Sequence, residues 1–219
     1  MPSQTKENYL KALYFLAQDG EEIALTHLSK QMQVSAPTVN SMVKKLQEKG
    51  WVIYEKYKPL QLTEEGRIAA ALIIRKHRLT EMFLVEKMGF GWEEVHDIAE
   101  EMEHIDSEEL FDRMDELLGY PSVDPHGSPI PDKDGNVDFK SYSKLSDIEA
   151  GSSVYLRALA HSPNDLLVYL NDKELELGSK IKVLKKEPFD GSITILYDEN
   201  KETMLSNMVS EQLLVEKAS

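Results

Sequence analysis

Between Arg75 and His104 the chain sets three of its six histidines and a run of glutamates at helical spacing, and nothing else in it restricts the fold as much. His77 and Glu81 are four residues apart, so on a helix they stack one turn above the other. After a Gly89-Phe90-Gly91-Trp92 break, His96, Glu100, Glu103 and His104 follow an i, i+4, i+7, i+8 pattern. On a helix that pattern confines all four to an arc of roughly 100°. A face turned into a core would be apolar, and this one is not. Single His/Glu pairs of this kind are ordinarily solvated. Two such sets on consecutive helices instead point to donors converging on a shared divalent cation, with nitrogen and oxygen ligands and no sulfur.

The 219 residues suffice for two or three small domains and a substantial core. Cysteine is absent, which excludes disulfides, zinc-thiolate sites and thiol catalysis. The N-terminus shows no secretory apolar region, and no apolar run approaches the ~18–20 residues needed to span a bilayer. A soluble cytoplasmic protein with no membrane partner is expected. The net charge of −14 is unevenly spread: up to Arg78 there are 12 Lys+Arg against 8 Asp+Glu, and after it 13 against 31. A mildly basic first third on a strongly acidic remainder suggests that only the first part meets a polyanion.

From Lys6 to Gln18, Tyr9, Leu10, Leu13, Tyr14 and Leu16 recur at helical spacing, and Asp19-Gly20 ends the helix. A short helix over Ala24–Met32 follows, with Leu28 and Met32 inward. Ser35 then reads as an N-cap and Pro37 falls in the first turn of a helix from Thr38 to Glu48. Val39, Met42, Val43 and Leu46 point inward on it; Thr38, Asn40, Ser41, Lys44 and Lys45 point outward. Two short helices with a tight turn, the second bearing small polar residues and lysines, form a helix-turn-helix. Asn40 and Ser41 suit base edges, Pro37 a thymine methyl, and Lys44 and Lys45 phosphates, and Ser35 and Thr38 complete the expected DNA-binding set on this helix. The β-rich runs 51–55 and 60–62 bracket Lys56-Tyr57-Lys58-Pro59, a hairpin with a basic, aromatic tip carrying Lys56 and Lys58. Together these make a winged helix, which serves DNA binding or, alternatively, protein contacts.

Thr63 caps a long helix reaching about Met88, and its apolar run Leu79, Met82, Phe83 and Leu84 is expected to be exposed and in part a dimer surface. Trp92–Ile105 is predicted as the second donor-bearing helix. Ser107 opens a third, with Leu110, Phe111, Met114, Leu117 and Leu118 inward. Residues 120–143, rich in Pro, Gly, Asp and Ser, read as a linker. Beyond it come strands at 152–159, 180–185 and 192–197, a helix at 163–170 and a closing run at 213–216. A small β-barrel is the natural packing for them.

In this order of elements the chain resembles the diphtheria toxin repressor and manganese transport regulator family of metal-dependent transcription factors. The resemblance is carried by Val34-Ser35-Ala36-Pro37-Thr38-Val39, Arg75-Lys76-His77-Arg78-Leu79, Val95-His96-Asp97 with Glu103-His104, and Asp124-Pro125-His126-Gly127-Ser128-Pro129-Ile130-Pro131. It implies a mainly α chain with a small β part: a winged helix-turn-helix DNA-binding domain at 1–72, a helical dimerisation and metal-binding domain at 73–143, and a C-terminal SH3-like (FeoA-like) β-barrel domain at 144–219. It further implies a homodimeric repressor of metal-homeostasis genes, not an enzyme, with metal as co-repressor and an inverted-repeat double-stranded operator as its DNA partner. By the same resemblance one metal site would use Asn8, Glu100, Glu103 and His104. Asn8 stands where relatives often carry Asp or Met. The other would use His77, Glu81 and His96, to which similarity to the streptococcal-type manganese regulators adds Asp124, His126 and Asp165. Asp124 stands where those relatives have Cys.

Iron-responsive relatives carry Cys where this chain has Glu100, and a carboxylate favours a harder ion. The expected cofactor is therefore Mn(II), with Fe(II) second; Zn(II) prefers fewer ligands than this set offers. The rival reading from another class is a di-metal carboxylate enzyme or metal-storage protein. Glu93-x-x-His96 and Glu101-x-x-His104 match its ligand element, but such proteins place the two copies on different helices. A winged-helix regulator sensing an organic ligand through its barrel would leave the His/Glu constellation unexplained.

Overall fold

The computed structural model describes residues 4–18, 23–55, 58–198 and 200–218. Asp19-Gly20, Lys56 and Tyr57 of the sequence reading lie outside the described residues. The chain divides into two units, one of Met1–Thr80, Asp97–Ser122 and Ile130–Asp138, the other of Glu81–His96, Val123–Pro129 and Phe139–Ser219.

In the first unit α1 (Gln4–Gln18), α2 (Leu25–Gln31) and α3 (Ala36–Glu48) pack through the apolar stripes that the sequence periodicity marks. Tyr9, Leu10 and Leu13 of α1 meet Leu28 of α2 and Val39, Val43 and Leu46 of α3 in one buried cluster. Gly50, at φ +79°, closes α3 in the left-handed conformation that a side chain resists, and Trp51 N–H bonds back to Leu46 O at 3.0 Å. The wing pairs β1 (Val52–Ile53) antiparallel with β2 (Gln61–Leu62), Val52 opposite Leu62, and Ile23 bridges to Leu60. Thr63 caps α4 (Glu64–Met88), its Oγ1 accepting from Gly66 N–H at 3.0 Å. A Cβ on Gly66 would sit 2.0 Å from Trp51 O, so this helix start is pressed directly onto the wing.

α5 (His96–Met102) is half the length that the sequence suggested, and Glu103 and His104 fall in the turn behind it. Ile105 N–H bonds to Met102 O at 3.0 Å, tightening the chain out of the helix. The single-face pattern from His96 to His104 is thereby broken, and His96 belongs to the other unit. α6 (Glu108–Leu117) begins at the predicted cap, Ser107 Oγ accepting from Leu110 N–H. It buries Phe111 and Met114, but Leu117 is exposed rather than inward. On α4, Leu79 and Leu84 are buried within the protomer and only Met82 and Phe83 are partly open, which narrows the expected dimer surface. Buried Arg75 donates to Asp115 Oδ2 at 2.6 Å and to Pro131 O at 2.8 Å, fixing α4 to α6 and to the 130–138 segment. In that segment the Asp132 carboxylate accepts from Asp134 N–H, Asn136 N–H and the Asn136 amide. Those bonds hold its pKa below the ordinary carboxylate value.

In the second unit β3 (Ser143–Lys144), β4 (Ser153–Leu159), β5 (Lys180–Lys186), β6 (Ile193–Tyr197), β7 (Lys201–Leu205) and β8 (Leu213–Lys217) form an SH3-like antiparallel sheet in the order β3-β8-β4-β5-β6-β7. Alternate residues Val154, Leu156, Ile181, Val183, Ile193 and Ile195 face a core shared with Leu166, Leu167 and Leu170 of α7 (Asn164–Asp172). α8 (Asn207–Ser210) links the last two strands. Bulges between Leu156 and Ala158 and between Val183 and Lys185 shift register and curl the sheet. Residues 123–129, taken from composition as linker, are part of this unit's interior: Asp124 and His126 are buried and Leu159 N–H bonds to His126 O at 3.0 Å. Gly127 runs at φ +85°, and a Cβ there would meet Arg157 O at 2.3 Å.

Candidate metal centres and nucleic-acid interface

The first donor group lies wholly in the first unit. α1 turns its apolar stripe to the winged-helix core, which leaves Glu7, Asn8 and Lys11, at i, i+1 and i+4, on another face. Glu103, fully buried, is the hub. Its Oε2 accepts from His77 Nδ1 at 2.8 Å, and Lys11 Nζ reaches Oε1 at 2.8 Å and Oε2 at 2.7 Å. Lys11 also donates to Glu100 Oε1, and His77, Glu100 and Glu103 each offer a ligand atom within 4.8 Å of the others. His104 Nδ1 bonds to Glu7, and its Nε2 lies 3.6 Å from Glu103 Oε1. His104 Nε2 and Asn8 Oδ1 are both buried with no hydrogen-bond partner among the described residues. A buried amide oxygen and a buried ring nitrogen without hydrogen bonds, in the same unit as two carboxylates, suit a cation.

A second group lies in the second unit. Glu81, Asp124 and His126 are buried and each offers a ligand atom within 4.8 Å of the others. His126 Nε2 bonds to Trp92 O at 2.9 Å, and a carbonyl only accepts, so Nε2 carries the proton. Its Nδ1 lies 3.8 Å from Glu81 Oε2. Holding one ring nitrogen on a backbone carbonyl while the other is presented to a cation is how histidine ligands are oriented. Trp92 stacks on the ring and is itself held by Asn171 Oδ1 at 2.7 Å. Asp124 Oδ1 accepts from His126 N–H and Ser128 N–H, both at 2.9 Å, which fixes the carboxylate in place. His96 Nδ1 lies 3.5 Å from Glu81 Oε1, with its side chain largely exposed. Asp165 is exposed in the first turn of α7 and belongs to none of the clusters found among the described residues.

Glu7 and Lys11 escaped the sequence reading. Their i, i+4 spacing has the form of an ordinary surface ion pair, and only the packing of α1 against the Glu100–His104 turn gives them another role.

On the winged helix, Pro37, Thr38, Ser41, Lys44 and Lys45 are exposed along α3, as a major-groove reader requires. Ser35 stands at the N-cap, but its hydroxyl pairs with Thr38 Oγ1 at 2.9 Å rather than with the backbone. Asn40 Oδ1 accepts from Tyr54 OH at 2.8 Å, so its oxygen is committed to the wing strand and its amide N–H groups are the part left for a base. Lys58 is exposed beside Glu55.

A winged helix with a polar recognition face, together with buried His/carboxylate clusters, defines a metal-responsive DNA-binding protein. Residues 1–60 match the iron dependent repressor N-terminal DNA binding domain, residues 63–132 the iron dependent repressor metal binding and dimerisation domain, and residues 143–217 the FeoA domain. The iron-dependent repressor IdeR of Mycobacterium tuberculosis is 30% identical over 97% of this chain and 97% of its own. Among solved structures, a manganese-dependent transcriptional repressor in complex with manganese is 32% identical with a TM-score of 0.86, covering 97% of this chain and 100% of that one. ScaR with bound Cd2+ is 35% identical with a TM-score of 0.80, covering 99% and 100%. The chain belongs to the iron-dependent repressor family of metal-dependent, DNA-binding transcriptional regulators, which includes the diphtheria toxin repressor. That membership sets aside the di-metal enzyme reading.

Proposed function

We propose that this protein is a cytoplasmic homodimeric repressor for which Mn(II), or secondarily Fe(II), is the co-repressor, and that it binds an inverted-repeat operator through α3 and the wing. The observation that carries this is the double use of α1. One face of it is built into the core that positions α3, and another, which carries Asn8, sets Lys11 on Glu100 and Glu103 and Glu7 on His104. When bound, a divalent cation supplies the positive charge that the Asn8 oxygen, the His104 lone pair and the two carboxylates share. Anything that fixes α1 against the 100–104 turn restrains the seat of the recognition helix. In a dimer it thereby sets the spacing of two such helices, which must match half-sites one helical turn or a multiple apart.

The second site would use Glu81, His96, Asp124 and His126, with Asp165 as the donor least supported by the geometry. No helix among the described residues is long and apolar enough to cross a membrane, which agrees with the proposed location. The choice of manganese rests on a donor set of carboxylates, imidazole and amide in a chain without cysteine. The resemblance to a solved repressor holding manganese supports it.

Fluorescence anisotropy on a promoter fragment, titrated separately with Mn(II), Fe(II) and Zn(II), tests the proposal. Operator affinity should rise roughly 5–150-fold with Mn(II), the usual span of allosteric coupling. Glu103→Ala should abolish that rise. Equal binding after chelation, or an undiminished metal response in Glu103→Ala, would refute it.

A further inference from the structure

We propose that Lys11 is an internal cation that competes with the metal for Glu100 and Glu103 and so sets the concentration at which the first site loads. The proposal rests on the reading of that site as a metal centre. An ammonium has three N–H donors, and Lys11 Nζ has three carboxylate oxygens around it: both oxygens of Glu103, at 2.8 and 2.7 Å, and Glu100 Oε1. Those oxygens are the ones a divalent ion would take. Two cations cannot use the same oxygens without strong repulsion. The repulsion is weakly screened here, because the Lys11 side chain is only 12% exposed and that of Glu103 is fully buried. Metal loading therefore requires Lys11 to withdraw.

The surrounding atoms show why a metal can win that exchange. An ammonium can only donate hydrogen bonds, and with its three donors on glutamates it leaves Asn8 Oδ1 and His104 Nε2 unsatisfied. A metal ion accepts more ligands and would engage both. Lys11 thus neutralises the carboxylates but not the whole donor set, and ammonium and ion are alternative occupants of unequal reach. Without Lys11 the same glutamates would bind metal more tightly and at lower concentration. A competing ammonium thus places the response threshold higher than the donor set alone would.

Mn(II) titration of the full-length protein, with free Mn(II) counted by its solution EPR signal, tests this in Lys11→Met and Lys11→Gln. Both remove the charge, and the second keeps a hydrogen-bond donor. The tighter-responding class of sites should bind at least about tenfold more strongly in both variants, the scale set by one close, shielded charge pair. Stoichiometry should not change, and the melting temperature in chelator should fall as the glutamates lose their counter-charge. Unchanged or weaker binding in both variants overturns the proposal, since Lys11 would then be holding Glu103 in place for the metal rather than opposing it. Glu103→Gln separates the two levels of inference. If it loses one Mn(II) per chain while the Lys11 variants fail to tighten, the competition alone is wrong. If it keeps full stoichiometry and affinity, the site assignment is wrong and the competition falls with it.

Discussion

Replacing Arg75 by Met should unfold the first unit's helical scaffold at markedly lower temperature. Arg75 and Asp115 form an ion pair at 2.6 Å with side chains 9% and 8% exposed, and the same guanidinium donates to Pro131 O at 2.8 Å. Methionine keeps most of the volume and the helix propensity of α4 but leaves Asp115 charged without its partner. Removing one member of a buried pair costs about 3–5 kcal/mol, chiefly the desolvation of the survivor. At about 2–4 °C per kcal/mol for a chain of this size, the melting temperature should fall by about 6–20 °C. Urea unfolding followed by far-ultraviolet circular dichroism in the presence of chelator gives the free energy directly. The reasoning makes a second demand. Arg75→Met combined with Asp115→Leu should recover most of the loss, because two apolar side chains in place of a buried pair are close to neutral. A single variant that loses less than about 1 kcal/mol, the scale of an exposed pair, would refute the argument, as would a double variant no better than the single.

Gly127→Ala should destabilise the second unit by at least about 2 kcal/mol, since it forces a Cβ into a φ of +85° and to within 2.3 Å of Arg157 O; thermal unfolding of the variant measures it. On the operator, Lys44→Ala and Lys45→Ala should each weaken binding without altering sequence preference. Each should also lower the slope of log K against log salt by about 1, read from anisotropy at several chloride concentrations.

The winged helix was legible because its core is written in a simple period. Leu10, Leu13, Leu28, Val39, Val43 and Leu46 recur as an amphipathic helix must, and all are buried. Periodicity served less well behind it. The donor pattern from His96 to His104 continues past the point where the backbone tightens at Met102, so two residues expected on a helix sit in a turn. What ends α5 there is not a Gly or Pro in the sequence. The loop at 123–129 misled in the opposite sense. Its Pro/Gly composition specifies non-regular backbone, but composition says nothing of the bond from Leu159 N–H to His126 O or of the close approach at Gly127 that bury it. β7 went unread because Lys201-Glu202-Thr203-Met204-Leu205 buries only its last residue. Leu79 and Leu84 look like interface on a helical wheel, yet their burial within the chain is a tertiary property.

The donors themselves were identifiable by residue type, but how each imidazole is held lies in hydrogen bonds that the sequence does not show. Behind the two rings stand different partners: His104 donates from Nδ1 to Glu7, and His126 donates from Nε2 to Trp92 O. The other ring nitrogen lies near a glutamate oxygen in each group, 3.6 Å away in the first and 3.8 Å in the second. Changing such a partner would change which ring nitrogen is turned toward the carboxylates, so what each imidazole can offer is decided as much by the group behind it as by the imidazole itself.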